Sequence, residues 1–105
     1  MIVEQLIKTL DDKKAEKIIT IDFRHTHALI DQMVVCEVSN SRLMGAIIHS
    51  LRETCIEHDL LDYKIEGNED SDWLLFSVDH IVVSVFLKEA REHYNIERLW
   101  HDYVV

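Results

Sequence analysis

Apolar residues recur along this chain with two alternating periods. At the start, Ile2, Val3, Leu6, Ile7 and Leu10 fall on one side of a helix, with Glu4, Gln5, Lys8 and Thr9 between them. The pattern predicts a short amphipathic helix that stops near Asp11-Asp12-Lys13-Lys14. Residues 17–23 then alternate: Ile19, Ile21 and Phe23 share one side, and Ile18, Thr20 and Asp22 the other. That is strand spacing. Residues 24–32 read as a connection, and residues 33–38 (MVVCEV) as a second strand with Val34, Cys36 and Val38 facing one way. Helical spacing returns over residues 39–59, where Met44, Ile47, Ile48, Leu51 and Cys55 form one apolar stripe. Ser39, Asn40 and Ser41 precede it as candidate N-caps, and Arg42, His49, Arg52, Glu53 and Glu57 can face water.

The second half is richer in strands. Residues 62–66 (DYKIE) are a weaker strand candidate, and residues 67–72 a polar, acidic turn. Residues 71–86 (SDWLLFSVDHIVVSVF) predict a hairpin turning at Asp79-His80, a pair that tolerates positive φ. On its first strand Trp73, Leu75 and Ser77 point one way, and Leu74, Phe76 and Val78 the other. After Phe86, Ala90 and Tyr94, then Ile96, Leu99 and Trp100, fit one or two short helical turns.

About five strands and three helical segments in mixed order predict one α/β (α+β) domain over residues 1–105. Its sheet is mixed, with helices mainly on one face. Three short helices can blanket one face of such a sheet and little of the other. The second face is expected to carry Ile18, Thr20, Met33, Val35, Trp73, Leu75, Val82, Ser84 and Phe86. Monomeric proteins seldom leave so apolar a patch bare. Two explanations stay open here: a partner docks on it, or a terminal helix folds over it and Trp73 is ordinary core.

Composition narrows the function classes. The chain is 48% apolar, enough for a core without disulfides or metal. It has no proline and glycine only at positions 45 and 67, which argues against linkers and disorder. Twenty acidic against 11 basic residues give a formal charge of −9, which disfavours direct reading of DNA or RNA and suits a basic protein partner. Cys36 and Cys55 fall inside apolar segments and read as buried thiols of a reducing compartment. The start has no signal-peptide pattern, and no apolar run approaches the ~20 residues of a membrane helix. The expectation is a soluble, cytoplasmic protein.

Chemistry is sparsely signposted. His25-Thr26-His27 invites a metal reading, with Asp22 or Cys36 as further ligands, but no CxxC or HExxH supplies a second half. Solvated loop histidines are the plainer reading. No nucleophile elbow or glycine-rich phosphate loop is present. Glu66, Glu69, Asp70 and Asp72 lack calcium-loop spacing and read as a solvated turn. No cofactor is implied.

Four stretches, taken in order, carry a family resemblance. They are residues 11–23 (DDKKAEKIITIDF), 31–47 (DQMVVCEVSNSRLMGAI), Glu66-Gly67 with 72–86 (DWLLFSVDHIVVSVF), and 91–100 (REHYNIERLW). Together they resemble the Iojap-related ribosomal silencing factors over nearly the whole chain. The most specific pieces are Asp12-Lys13-Lys14-Ala15, Ser39 with Ser41-Arg42, Glu66-Gly67, Asp72-Trp73, and Leu99-Trp100 after Tyr94. The resemblance implies a nucleotidyltransferase-like topology without the catalytic carboxylates, hence no enzyme activity. It implies binding to the large ribosomal subunit through its protein number fourteen, which blocks joining of the small subunit and represses translation when nutrients are short. Members of the family can also form homodimers.

The chain departs from the family's usual pattern at Gln32 and Met33, at Glu37-Val38, at the Asp79-His80 turn, and at Ser77 and Ser84. The family commonly has an aspartate at the Ser77 position and an outward histidine at the Ser84 position. The docking surface expected from both lines of reasoning has Trp73, Leu75 and Val82 as apolar anchors. Ser77 and Ser84 form its polar rim, with Glu66, Asp72 and the turn residues Asp79 and His80 around it. Two other classes compete: a metal-assisted hydrolase or relic nucleotidyltransferase using Asp22, His25 and His27, and a homodimeric module whose apolar face pairs with itself.

Overall fold

The structure, a computed structural model, describes residues 2–24, 30–68 and 70–94. Its elements are α1 (Ile2–Asp12), β1 (Glu16–Asp22), β2 (Gln32–Val38), α2 (Ser41–Glu57), β3 (Lys64–Glu66), β4 (Trp73–Val78), β5 (Ile81–Leu87) and α3 (Lys88–Tyr94). The five strands form one sheet in the order β1-β2-β5-β4-β3. The central pair β2 and β5 is parallel, and the β1–β2, β4–β5 and β3–β4 pairs are antiparallel. This is the mixed α+β sheet that the patterning predicts.

Local chemistry sets the element ends. Asn40 is the N-cap of α2, its side-chain oxygen accepting from the Leu43 amide at 2.9 Å. Both long helices close in Schellman fashion. Ala15 N–H reaches back to Leu10 O and Lys14 N–H to Asp11 O after α1; Leu60 N–H reaches Cys55 O and Asp59 N–H reaches Ile56 O after α2. Lys14 (φ 67) and Asp59 (φ 59) therefore stand in the left-handed region usually given to glycine. Asp79 (φ 49) and His80 (φ 68) both have the positive φ of a two-residue type I′ hairpin turn, as their composition predicts.

The main core lies between α1, α2 and the first face of the sheet. Leu6, Leu10, Met44, Ile47 and Leu51 meet Val34, Leu74, Phe76, Val83 and Val85, all without solvent exposure. Tyr63 stacks on Phe76 at 5.4 Å and closes the β3 side. Thr9 and Thr54 share a hydroxyl hydrogen bond of 2.7 Å that ties α1 to α2.

One expectation is reversed. Ile18 and Thr20 do not line the second face: Ile18 packs on the first-face core, and Thr20 pairs with Val34 of that core. Ile19 and Ile21 take the second face instead, opposite Val35 and Met33. Alternation says which residues share a side; only the register with β2 says which side that is. A register shift between Glu16 and Ile19, with Lys17 at φ 49, offsets the start of β1.

Candidate docking face

The second face is built from three cross-strand rows. One runs Ile21, Met33, Val82, Ser77, Lys64; the next Ile19, Val35, Ser84, Leu75, Glu66; the third Glu37, Phe86, Trp73. Its β1, β2 and β5 side is largely covered by the chain itself. Ile21, Phe23, Val35, Phe86 and Ala90 form a second, smaller core, with Ile19, Ile30, Met33 and Trp73 packed half-buried around it. Trp73 stacks on Phe86 with ring centroids 5.1 Å apart and planes 20° apart. Ala90 belongs to α3, so a helix does fold onto this face, and α3 has only 7 residues to cover it. Leu75 in the row next to Trp73, Ser77 and Val82 one row further, and Met33 beside Val82 on β2 stay partly exposed. The uncovered apolar strip is narrower than the nine-residue set expected, and Trp73 sits at its boundary, part core and part surface.

A buried ion pair pins α3. Arg91 Nη1 stands 3.3 Å from Glu37 Oε1, with both side chains nearly inaccessible, and it also donates to Lys17 O at 2.6 Å. Charged residues are almost never buried unless paired. Neither residue was a predicted site residue. The signal was there: Glu37 is a lone acid inside the run MVVCEV, and a buried strand cannot hold a carboxylate without a cation.

The expected site residues separate into two groups. Glu66 lies opposite Leu75 on the same face and is exposed. Asp72 directly precedes Trp73, is exposed, and its carbonyl accepts from the Leu87 amide at 2.9 Å. The turn between them depends on Gly67 (φ 98), where an added Cβ would sit 3.2 Å from both Ser71 Oγ and Trp73 O. Ser71 Oγ accepts from the Asn68 amide and sets the loop. Asp79 and His80 are not brought to Trp73; they stand at the far end of β4, roughly 20 Å away at strand rise. Ser84 is a correction: it is fully buried in the middle row, so its hydroxyl is no rim group. Its cross-strand neighbours Val35 and Leu75 flank it where the sheet is most central. Met33, expected on this face but not as a site residue, and Lys64, not expected there, flank the strip.

Among the described residues the candidate reactive groups do not converge. Asp22 is held by Arg24 through two contacts of 2.8 and 3.0 Å, so its carboxylate is engaged. His25 and His27 lie outside the described residues, as do Glu69, Ile96, Leu99 and Trp100. Among the described residues no three His, Cys, Asp or Glu side chains converge on a metal position. Both cysteines are buried free thiols. Burial pushes the Cys36 thiol up to about 12 and raises that of Cys55, with Asp62 adding to the latter. No helix among the described residues is long and apolar enough to cross a membrane.

Comparison with known proteins gives one consistent answer. The family model described as "Ribosomal silencing factor during starvation" matches residues 1–104. The ribosomal silencing factor RsfS of Halalkalibacterium halodurans is 30% identical over 101 residues, covering 96% of this chain and 86% of that protein. A mouse protein named "Mitochondrial assembly of ribosomal large subunit protein 1" is 27% identical over 103 residues, covering 93% of this chain and 44% of its own length. A crystal structure of a protein from Chromobacterium violaceum matches with a TM-score of 0.87 and 31% identity, covering 95% of this chain and 83% of that one.

Proposed function

Because the chain belongs to the Iojap-related family of ribosomal silencing factors that act during starvation, we propose that it docks on the large ribosomal subunit through its half-covered sheet face and excludes the small subunit by its bulk. The observation that carries this is the asymmetry of β4 and β5. Their first-face side chains are sealed, while Trp73, Leu75 and Val82 on the other side remain partly open. Trp73 is the anchor, a residue type favoured at binding hot spots. It is pre-ordered by its stack on Phe86, which lowers the entropy cost of docking. Leu75 and Val82 extend the apolar centre, and Ser77, Glu66 and Asp72 supply the polar edge.

The partner of choice is the large subunit's protein number fourteen, on the joining face. A basic ribosomal protein is complementary to a chain of charge −9, whereas rRNA phosphate is not. The mouse relative's name independently connects that protein to the large subunit. Docking needs no chemical step and no cofactor; occupying the joining face in the cytoplasm is enough to repress translation.

Co-sedimentation with purified large subunits tests this. Trp73→Ala is expected to keep its far-ultraviolet circular dichroism and lose ~2–4 kcal/mol of binding. Unchanged pelleting of a folded Trp73→Ala would remove this face from the interface. Raised salt is expected to weaken association, because the acidic edge contributes through screened charge.

A further inference from the structure

At the far end of the sheet from Trp73 lies a cleft of about 500 Å3, within the usual range for ligand sites. It is lined by Val3 and Ile2 of α1, His58 and Leu60 beyond α2, Asp31 before β2, and Asp79 and Ile81 of the hairpin. Its floor is apolar, since Val3 and Ile81 are 6% and 4% exposed. Its rim is acidic. The Asp31 amide donates to His80 O at 2.8 Å, which fixes the segments carrying Asp31 and Asp79 side by side. Neither carboxylate has an ion-pair partner within 4 Å among the described residues; Arg24, paired with Asp22, stands near enough for its charge to act on Asp31 as well.

Two helix ends meet at the cleft. The 17-residue α2 ends here with no basic residue in its last turn; its closing carbonyls accept from the amides of His58, Asp59 and Leu60, and the C-cap residue His58 lines the cleft. The positive pole of α1 starts at the same place, but Glu4 in its first turn offsets it. An inorganic cation would gain nothing from the apolar floor. A neutral apolar ligand would gain nothing from the two carboxylates. We propose that this cleft binds an aliphatic ammonium or guanidinium group, its methylene stem on Val3, Ile81 and Leu60 and its charged head between Asp31 and Asp79. The site is separate from the ribosome-docking face and does not depend on it.

Nuclear magnetic resonance titration of the full chain tests the proposal, with n-butylammonium as probe. Expected are saturable amide shifts centred on Val3, Asp31, Leu60 and Ile81. The dissociation constant should be at least tenfold higher for 1-butanol, for ammonium without a stem, and for the Asp31→Asn/Asp79→Asn variant. Both side chains are exposed, and asparagine tolerates the positive φ at 79, so that variant keeps the fold. Shifts that spread over the acidic surface without saturating would overturn the proposal, as would equal binding of 1-butanol by the unaltered chain. Spermidine and Nα-acetyl-lysine methylamide then separate the sources. Tighter spermidine binding identifies a free polyamine, tighter binding of the lysine derivative a protein side chain, and failure of both overturns the site.

Discussion

On one face of the sheet, Leu74, Phe76, Val83 and Val85 lie under two helices of 11 and 17 residues and see no solvent. On the other face of the same two strands, Trp73, Leu75 and Val82 have a seven-residue helix beside them and stay partly open. Strand chemistry does not distinguish the faces, since both are apolar. The covering elements do. Burial on the first face is spent on stability, and the incomplete burial of the second leaves free energy to be gained on binding.

The sharpest way to break that contrast is to truncate neighbours that point in opposite directions. Phe76→Ala removes a fully buried ring and is expected to lower unfolding free energy by about 3–5 kcal/mol in urea denaturation. Leu75→Ala, one residue away, is expected to lower it by under about 1 kcal/mol while weakening large-subunit binding. Equal losses from the two would mean that the second face is as closed as the first.

Next is the way α3 is held. Arg91→Met leaves Glu37 buried without its cation and should cost about 3 kcal/mol or more. Adding Glu37→Leu should restore most of that loss, because the unpaired charge is gone. No recovery in the double variant would show that Arg91 acts through packing, and the second face would then resemble the first.

An effect confined to alkaline pH comes from Cys36, whose side chain belongs to the first-face core. The thiol ionises near 9 in the unfolded chain and near 12 when folded. The unfolded state therefore gives up its proton first, and stability falls as pH rises from 9 towards 12, by at most ~1.4 kcal/mol per pH unit. Below pH 9 the contribution is constant. Cys36→Val should flatten that alkaline slope, and at neutral pH the native thiols should be silent to Ellman's reagent. Smallest is Asn40→Ala, which loses the α2 cap for about 1 kcal/mol, read as a lower melting temperature.

Much of this architecture is legible in the sequence because local signals agree. The 73–78 alternation, the Asp79-His80 turn and the stripe on α2 each name their structure from neighbouring residues alone. What the sequence leaves open is non-local. The side taken by Ile19 and Ile21 depends on register with β2. Ser84 reads as a polar rim residue because serine is usually exposed, yet its row lies at the sheet centre, where position outweighs polarity. Arg91 and Glu37 stand 54 residues apart in the chain, and no local pattern announces that they meet. Asp79 reads as part of Trp73's surroundings because both belong to one hairpin; strand length carries them to opposite ends.

The most direct test of the two-face account is hydroxyl-radical footprinting read by mass spectrometry, on the free protein and on its complex with large ribosomal subunits. Trp73 and Met33 should be oxidised in the free protein and protected in the complex, while Met44, sealed on the first face, should be unreactive in both. Trp73 and Met33 remaining equally reactive on the ribosome-bound protein would contradict the account.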